Sequence, residues 1–354
     1  MLNRLPVIAL AILLFAVVSS GQTYSVRDLG VLPGGLGSAG NAINARGEVT
    51  GASGAGPDNF SHAFFWNQRT GLTDLGTPPG YLSSPATGIN ASGKVVGSLD
   101  PASGNPVAFL WTEKRGFETL GTLPQAIFSG ANGINDRGEV VGDAGNPDGF
   151  DHPFLWTQEE GMRDLGTLGG QTATARAIND SSQVTGYSEF SGLSGVFHAY
   201  VWNKIDGMVD IGTLPEDESS FGYAINQLGQ VVGESDPPCC DATYVSRAFA
   251  WDKRIGMLDL GFLPGGNSSV ALGINVFGEV VGYGDYQNSD GMTHAFIWTY
   301  QKGMRDLNSL IAPNSGLVLS VATGINVEGQ ITGHGMINGE EHAFLLTPRL
   351  LGRF

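Results

Sequence analysis

GINDRGEVVG, residues 133–142, decides the fold, because nearly the same phrase occurs seven times in the chain. It begins with Ile-Asn, passes through a polar turn ending at Gly138, and enters an apolar Val-Val-Gly segment. The Ile-Asn pair recurs at intervals of 44 to 51 residues, at Asn44, Asn90, Asn135, Asn179, Asn226, Asn275 and Asn326. Self-similarity at such a period is typical of repeat proteins, in which each repeat is one supersecondary unit.

Each repeat is predicted to contain four short strands. The first ends at Ile-Asn, and the Asn-x-x-Gly turn after it has Gly where a three-residue hairpin loop needs positive φ. Gly occupies that position in six repeats and Ser182 in the seventh, which we expect to cost that hairpin ~1 kcal/mol. The Val-Val-Gly, His-Ala-Phe-x-Trp and Asp-Leu-Gly segments supply the second, third and fourth strands.

The first strand carries small side chains at every second position. Six, four and two residues before each Asn the chain is almost always Ser, Ala or Gly, as at Ser84, Ala86 and Gly88. Because alternate side chains of a strand point to the same side, one face of this strand is flat. A neighbouring sheet can then approach closely, with the Trp and Phe side chains filling the space between.

Seven four-stranded units of this kind predict an all-β, seven-bladed β-propeller. A linear β-solenoid is the alternative, and the chain ends distinguish the two. Asp-Leu-Gly first occurs at Asp28, before any Ile-Asn, whereas the last repeat has none after His342. A closed ring therefore requires the N-terminal strand to complete the last blade.

The predicted organisation is one propeller domain, residues 22–354, behind a signal peptide at 1–20. We expect the blades at about 31–76, 77–121, 122–166, 167–212, 213–261, 262–308, and 309–354 together with 22–30.

The first twenty residues resemble an export signal. Arg4 precedes an apolar run from Leu5 to Val18, with small residues at Ser19 and Ser20, which is typical of a cleavable signal peptide. An uncleaved membrane anchor is the alternative, although the run is shorter than the ~20 residues that span a bilayer. We therefore expect a secreted or periplasmic protein, with no membrane span after cleavage.

Composition argues against polyanionic partners. The chain has 54 Gly, 18 basic and 34 acidic residues, and without Arg4 the net charge is -17. Nucleic acids and anionic membranes require clustered Lys and Arg, so neither is an expected partner.

Five of the six His share one position in the repeat, and an Asp follows twelve residues after four of them. The third and fourth strands should form a hairpin that brings these side chains together. The repeat with Val107 in place of His also lacks the Asp, while Arg247 replaces His but keeps its partner. The predicted cross-strand pairs are His62–Asp74, His152–Asp164, His198–Asp210, Arg247–Asp259, His294–Asp306 and His342–Asp28.

A His beside an Asp can act as a general base. Catalysis needs one distinct constellation, however, whereas five equivalent pairs describe a fastener repeated around a ring. The Ser that begins most first strands, such as Ser38 and Ser129, is a further candidate for this polar network. No Gly-x-Ser-x-Gly elbow is present, and we expect no catalytic residue among the repeated positions.

The phrases HAFFW (62–66), HPFLW (152–156), HAYVW (198–202), HAFIW (294–298) and HAFLL (342–346), with the Gly-Met-x-Asp-Leu-Gly and Gly-Ile-Asn phrases, resemble the HAF-repeat family of probable extracellular bacterial proteins. The likeness runs from about Asp28 to Leu346, and VAFLW (107–111) departs from it. The resemblance implies export and a repeat fold, and it carries no established activity.

Binding residues are expected where the repeats differ. The loops between second and third strands vary most, and loops on a rigid scaffold are where binding residues collect. Aromatic side chains assigned to these loops could stack on sugar rings, and His334 is the one His outside the repeated position. The candidate ligand-binding residues are Phe60, Phe150, Tyr187, Phe190, Tyr244, Tyr286 and His334.

Three loops suggest further chemistry. Cys239 and Cys240 could form a vicinal disulfide in an exported protein, although a buried thiol pair or an interchain link remains open. Oxygen-rich loops could hold Ca²⁺, but neither has EF-hand spacing and solvated acidic loops are the simpler interpretation. The candidate oxygen ligands are Asp143, Asp148, Asp151, Asp285, Asn288 and Asp290.

The sequence thus predicts a secreted, monomeric binding or scaffold module that recognises a polysaccharide or another surface protein through its variable loops, without a cofactor. The alternatives are a hydrolase or lyase with its site at the mouth of the central channel, for which His334 is the distinctive residue, and a purely architectural role.

Overall fold

The strands form seven antiparallel sheets, and each sheet contacts the next around a closed ring. The predicted seven-bladed β-propeller is therefore confirmed. This computed structural model describes residues 23–192, 195–238, 245–286 and 293–349.

Blades one to four follow the chain from the inner strand to the outer strand. Blade one contains β2 (Ser38–Ile43), β3 (Val49–Ala55), β4 (Phe60–Asn67) and β5 (Gly71–Gly76). Blade two has its inner strand in two pieces, β6 (Tyr81–Ser83) and β7 (Ala86–Ile89), then β8 (Val95–Pro101), β9 (Val107–Thr112) and β10 (Gly116–Thr119). Blade three contains β11 (Phe128–Ile134), β12 (Val140–Gly145), β13 (Asp151–Thr157) and β14 (Gly161–Asp164). Blade four contains β15 (Gly169–Ile178), β16 (Val184–Phe190), β17 (Phe197–Asn203) and β18 (Gly207–Asp210).

Blades five to seven repeat the pattern. Blade five contains β19 (Ser219–Ile225), β20 (Val231–Asp236), β21 (Arg247–Asp252) and β22 (Gly256–Asp259). Blade six contains β23 (Ser269–Ile274), β24 (Val280–Asp285), β25 (Thr293–Thr299) and β26 (Gly303–Asp306), followed by a 3-10 turn at Leu307–Leu310. Blade seven contains β27 (Leu317–Ile325), β28 (Ile331–Ile337), β29 (Glu340–Arg349) and the N-terminal β1 (Thr23–Gly30).

The ring closes where β1 pairs with β29. The register runs from Thr23 opposite Arg349 to Gly30 opposite Ala343, with an irregularity after Asp28. Tyr24 and Leu29 of β1 are buried. The outer strand of the last blade therefore comes from the other end of the chain, as the positions of Asp-Leu-Gly predict.

The seven Asn residues of the Ile-Asn pairs form a second closure that the sequence analysis did not assign. Each Nδ2 donates to the backbone carbonyl of the next Asn around the ring, at 3.0 to 3.2 Å. The last bond, from Asn326 to the Asn44 carbonyl, spans 282 positions of sequence. The recurrence of Ile-Asn thus has a physical reason, since each Asn joins its blade to the next.

The Asn side chain also shapes its own hairpin. In blade three, Asn135 Oδ1 accepts from the amides of Arg137 and Glu139, and Gly138 has φ 82°. Ser182 adopts φ 55° at the equivalent position of blade four. Its hydroxyl donates to Glu139 of blade three at 2.7 Å, which offsets part of the strain.

The hydrophobic core lies between blades. Phe154 and Trp156 of blade three pack with Val96 and Ala108 of blade two, for example. The third-strand aromatic is fully buried in every blade, at Phe64, Phe109, Phe154, Tyr200, Phe249, Phe296 and Phe344. Within blade three, Gly142 permits the close approach of the second strand to the inner strand, because a Cβ there would overlap the Gly130 carbonyl oxygen.

The hairpin geometry defines two faces. The turns between first and second strands, and between third and fourth strands, lie on what we call the turn face. The loops between second and third strands, and the connections between blades, lie on the opposite loop face. Among the described residues no helix has the length and apolar character needed to cross a membrane.

Candidate functional site

The repeated His–Asp pairs lie at the loop-face end of the third and fourth strands. The His Nδ1 to Asp carboxylate distances are 3.1 Å for His62–Asp74, 2.8 Å for His152–Asp164 and His198–Asp210, and 2.9 Å for His294–Asp306 and His342–Asp28. Each Asp is registered opposite the residue two positions after the His, so the two side chains meet diagonally across the hairpin.

These carboxylates also end the outer strand. Asp210 Oδ1 accepts from the Gly212 amide at 2.7 Å. Although burial favours its neutral form, the hydrogen bonds from His198 and Gly212 hold the pKa of Asp210 below its usual value. In blade five, Arg247 lies 3.4 Å from Asp259 and 2.7 Å from Asp217.

The inner-strand Ser connects this corner to the adjacent blade. Ser129 of blade three donates to the Gly121 carbonyl at 2.6 Å and accepts from the Ala108 amide of blade two at 2.9 Å. Ser38 makes the same pair of bonds to Gly30 and Ala343 at the closure. This repetition describes a structural fastener, which leaves function to residues that differ between blades.

One group of non-repeated polar residues does come together, on the inner two strands of blades three to five. Asn132 Nδ2 donates to Asp143 at 2.7 Å and to the Ala175 carbonyl of blade four at 2.9 Å. Arg176 donates to the Tyr187 hydroxyl at 3.1 Å, and its guanidinium lies 5.4 Å from the centre of that ring. We call this set the inter-blade cluster, and it consists of Asn132, Asp143, Arg176, Tyr187, Tyr223 and Glu234.

Charges interact across the inter-blade cluster. Burial raises the pKa of Asp143 to about 6, although Arg176 opposes the shift. Burial acts to lower the pKa of Arg176, but Tyr187, Asp143 and Tyr223 outweigh it and raise that pKa. Asp143 can therefore exchange a proton near neutral pH.

The other end of the cluster holds a short hydrogen bond. The Tyr223 hydroxyl donates to Glu234 Oε1 at 2.5 Å, and burial raises the pKa of both groups. The sequence analysis did not identify Arg176, Tyr223 or Glu234. Alignment of the repeats against each other is the signal that finds them, since Arg176 and Tyr223 share one repeat position, three residues before the Asn, and Glu234 shares the position of Asp143 and Tyr187, eight residues after it, and the residue type at both positions changes from blade to blade.

The predicted aromatic ligand-binding residues do not form one continuous surface. Tyr187 and Phe190 lie in strand β16 rather than in a loop. Tyr187 packs edge-on against Phe197 and Phe221, at centroid distances of 5.7 and 4.9 Å. Phe190 lies over His198 at 4.9 Å.

The remaining aromatic candidates differ in exposure. Tyr286 stacks on His294 at 4.6 Å, while Phe60 is 39% exposed and Phe150 is partly exposed. Tyr244 lies outside the described residues. Only part of the predicted set therefore offers a free ring face.

His334 lies inside strand β28 rather than after it. Its Nε2 is 3.3 Å from Glu341 Oε1, and burial lowers its pKa although Glu341 opposes the shift. His334 belongs to blade seven and the inter-blade cluster to blades three to five, so the ring separates His334 from that cluster.

The described part of the chain shows no metal site, and it does not include the two cysteines. Asp143 belongs to strand β12 and is bonded to Asn132, rather than lying in an open loop. No group of three or more His, Cys, Asp or Glu side chains able to hold a metal occurs among the described residues. Cys239, Cys240, Asn288 and Asp290 lie outside them.

The loop face carries an exposed apolar arc that the sequence analysis missed. One position, two residues before the Ser position of the inner strand, is apolar in four consecutive blades and polar in the other three. Leu36 is 69% exposed and Ile127 is 46% exposed. The arc comprises Val318, Leu36, Leu82 and Ile127 of blades seven, one, two and three, and the polar equivalents are Gln171, Glu218 and Asn267.

A large open cleft lies on the other face. Its volume is about 1050 Å³, and it runs between the hairpins of blades two to four, with Arg137, Glu139, Trp156 and Trp202 in its lining. It contains neither the inter-blade cluster nor the apolar arc. The cleft is lined by the turns and strands that recur in every blade, whereas the non-repeated residues lie elsewhere.

Comparison with known proteins identifies the fold alone. No protein family matches the chain, and no curated protein matches it. The propeller domain of the Trilobed protease from Pyrococcus furiosus, described as having an open velcro topology, superposes with TM-score 0.55 at 11% identity, covering 94% of this chain and 99% of that one. TolB from Acinetobacter baumannii aligns with TM-score 0.48 at 12% identity over 86% of this chain, which spans 64% of TolB. A gluconolactonase from Xanthomonas campestris aligns with TM-score 0.41 at 10% identity, covering 78% and 89% of the two chains. The chain is therefore similar in fold to the β-propeller domain of that protease.

Proposed function

We propose that this protein is an exported binding module whose loop face docks another surface protein. The observation that carries the proposal is the apolar arc of Val318, Leu36, Leu82 and Ile127. Leu36, Leu82 and Ile127 occupy equivalent positions in consecutive blades, and Val318 is exposed one register position further along the inner strand of blade seven, so all four belong to the loop-face end of neighbouring blades. Adjacent exposed apolar side chains are typical of interaction sites on soluble proteins.

The chemistry of the arc favours a protein over a sugar. Sugar rings stack on flat aromatic faces, whereas the arc is aliphatic. Most of the described aromatic candidates already pack on their own chain, as Tyr187 does on Phe221 and Tyr286 does on His294. Phe60, at the start of β4 in blade one, could extend the arc as its aromatic anchor.

Export is part of the proposal and is supported by the leader-like run from Leu5 to Val18. The resemblance to HAF repeats agrees with it. A catalytic role has less support, because His334 and Asp143 lie in separated blades.

Site-specific photocrosslinking on producing cells tests the proposal. A photoreactive residue at Leu36 or Ile127 should give one defined protein adduct, while the same residue at Gln171 or Asn267, which are equivalent positions in polar blades, should give none. Equal labelling at all four positions would contradict the proposal.

Two further measurements sharpen this test. Leu36→Ser with Ile127→Ser should weaken capture of the identified partner by roughly tenfold or more, while Gln171→Ser with Asn267→Ser should leave it unchanged. A glycan array of the purified protein should be silent. A glycan signal that Phe60→Ala or Phe150→Ala abolishes would contradict the proposal and indicate that the partner is a polysaccharide.

A further inference from the structure

The turn face exposes large apolar side chains in one half only, where they lie among charged residues such as Lys204, Asp206 and Arg254. In blades one to three the turns between third and fourth strands have charged or amide side chains at their tips, such as Gln68, Lys114 and Glu159. In blades four to six the same turns expose Ile205, Ile255 and Tyr300. Ile205 is 93% exposed and Tyr300 is 82% exposed, which is unusual for side chains of this size.

The inner turns repeat this division. Leu228 and Phe277 extend from the first turns of blades five and six, and Val327 from that of blade seven. The seven bonds between the Asn side chains and the next Asn carbonyl, which we call the Asn ring, hold the three turns together. Asn226 Nδ2 donates to the Asn275 carbonyl, and Asn275 Nδ2 donates to the Asn326 carbonyl. Together with the outer tips they form one exposed surface, which we call the apolar crescent and which comprises Ile205, Leu228, Ile255, Phe277, Tyr300 and Val327.

The hairpins hold these side chains outward. The amides of Leu228 and Phe277 donate to the Asn side chains two residues earlier, at 3.0 Å each. The Ile205 amide donates to Asn203 Oδ1 at 2.9 Å. The crescent is therefore a convex row of rigid tips, not a groove shaped to receive another chain.

The chain ends leave from the same face. Thr23 and Arg349 are paired at the turn-face end of blade seven, beside the crescent. Tyr24 next to them is close enough to Glu279 and Arg305 of blade six to interact electrostatically. Both ends of the described chain thus lie on the face that carries the crescent.

We propose that the apolar crescent docks this protein on the surface of a lipid bilayer. Projecting apolar tips enter the interfacial region without a complementary groove, and each adds the free energy of burying its side chain. Lys204 and Lys253 are exposed beside Ile205 and Ile255, where their ammonium groups can reach lipid phosphates. The net charge of the protein favours zwitterionic over anionic lipid. The loop face then points away from the membrane.

Cosedimentation with phosphatidylcholine vesicles tests this inference on the full chain. The wild type should partition to the vesicles, and Ile205→Ser, Ile255→Ser and Tyr300→Ser together should weaken partition by roughly tenfold or more. The matched control is Gln68→Ser, Lys114→Ser and Glu159→Ser, which changes the same turns in the polar half without altering net charge. The control should bind as the wild type does.

Three outcomes overturn the inference. Wild-type protein that stays in solution rules out lipid docking. Equal partition of wild type and the Ile205, Ile255, Tyr300 variant assigns binding to another segment, such as the apolar run. A concentration-dependent dimer in analytical ultracentrifugation that this variant abolishes assigns the crescent to a second copy of the chain. Because all six substitutions lie on exposed turns, urea unfolding should be unchanged in both variants.

Discussion

At the residue scale, the Asn of each Ile-Asn pair does two tasks with one side chain. Its Oδ1 orders its own hairpin, and its Nδ2 reaches the next blade. Asn226 shows this fully, because Oδ1 accepts from Leu228 and Gln230 while Nδ2 donates to the Asn275 carbonyl. Asn226 is buried, so losing these bonds leaves polar groups unsatisfied.

We expect Asn226→Ala to lower the free energy of unfolding by ~2–4 kcal/mol, since several buried hydrogen bonds are lost together. Asn67→Ala is the control, because Asn67 Oδ1 orders an exposed turn through Arg69 and Thr70, and it should cost ~1 kcal/mol or less. Urea unfolding measures both. Asn226→Asp tests the Nδ2 donor alone: it keeps the Oδ1 acceptor but loses the bonds from Nδ2 to the Asn275 carbonyl and to Gln230 Oε1. Stability equal to wild type for Asn226→Asp would show that the bond between neighbouring Asn residues does not stabilise the folded protein.

Asp143 sets a pH dependence at the same scale. Its folded-state pKa of about 6 lies above the value in an unfolded chain. The folded protein therefore binds the proton more tightly, and this contribution to stability is present at low pH and lost as pH rises through the folded pKa. We expect the unfolding free energy to fall between about pH 4 and pH 6, with a slope of at most ~1.4 kcal/mol per pH unit from this group.

Asp143→Asn should flatten that part of the stability curve, because the amide cannot titrate while its oxygen can still accept from Asn132. Chemical unfolding at half-unit pH steps makes the comparison. Asp148→Asn, on an exposed loop nearby, is the control and should retain the wild-type slope. Identical slopes for wild type and Asp143→Asn would show that Asp143 is not the titrating group.

At the element scale, β1 determines whether the ring is closed. It supplies the fourth strand of blade seven and buries Tyr24 and Leu29. Without it β29 is an unpaired edge, which exposes backbone groups and apolar side chains to solvent. Asp28 adds the hydrogen bond to His342 at 2.9 Å.

A chain beginning at residue 31 should therefore be less stable by at least ~3 kcal/mol, from the burial of Tyr24 and Leu29 alone. A synthetic peptide of residues 23–30 should restore stability in a concentration-dependent manner. The same peptide carrying Asp28→Ala should restore it less well, because His342 then has no carboxylate partner on β1. Thermal unfolding with each peptide provides the comparison, and an unchanged melting temperature in the truncated chain would contradict the closure.

At the scale of the whole molecule, the repeat separates what holds the ring from what differs around it. The Asn ring, the inner-strand Ser and the His–Asp corners recur and lie within or between blades. The exposed positions vary by sector: the arc position of the loop face is apolar in blades seven, one, two and three, whereas the apolar crescent of the turn face lies in blades four to seven. The proposed protein contact and the proposed lipid contact therefore use opposite faces, so both can be made at once.

Much of this architecture could be predicted from the sequence. Ile-Asn at a regular interval, small residues at period two, and Asp28 without an Ile-Asn before it were enough to predict seven blades and their closure. Each is a local pattern, and local patterns determine strands, turns and the pairing of neighbouring strands. Four of the His–Asp pairs were predictable for the same reason, since both partners lie on one hairpin, whereas His342–Asp28 followed from the predicted closure.

Other features were decided only by the tertiary structure. The Asn ring joins blades through bonds between side chains and distant carbonyls, and Asn326 meets Asn44 only because the ring closes. Arg176 approaches Asp143 from a different blade, and Tyr187 proved to be packed against Phe221 rather than free in a loop. Whether a side chain is buried, paired or exposed depends on which blades lie beside it. The repeat pattern alone does not determine these contacts, because they form only when the ring closes.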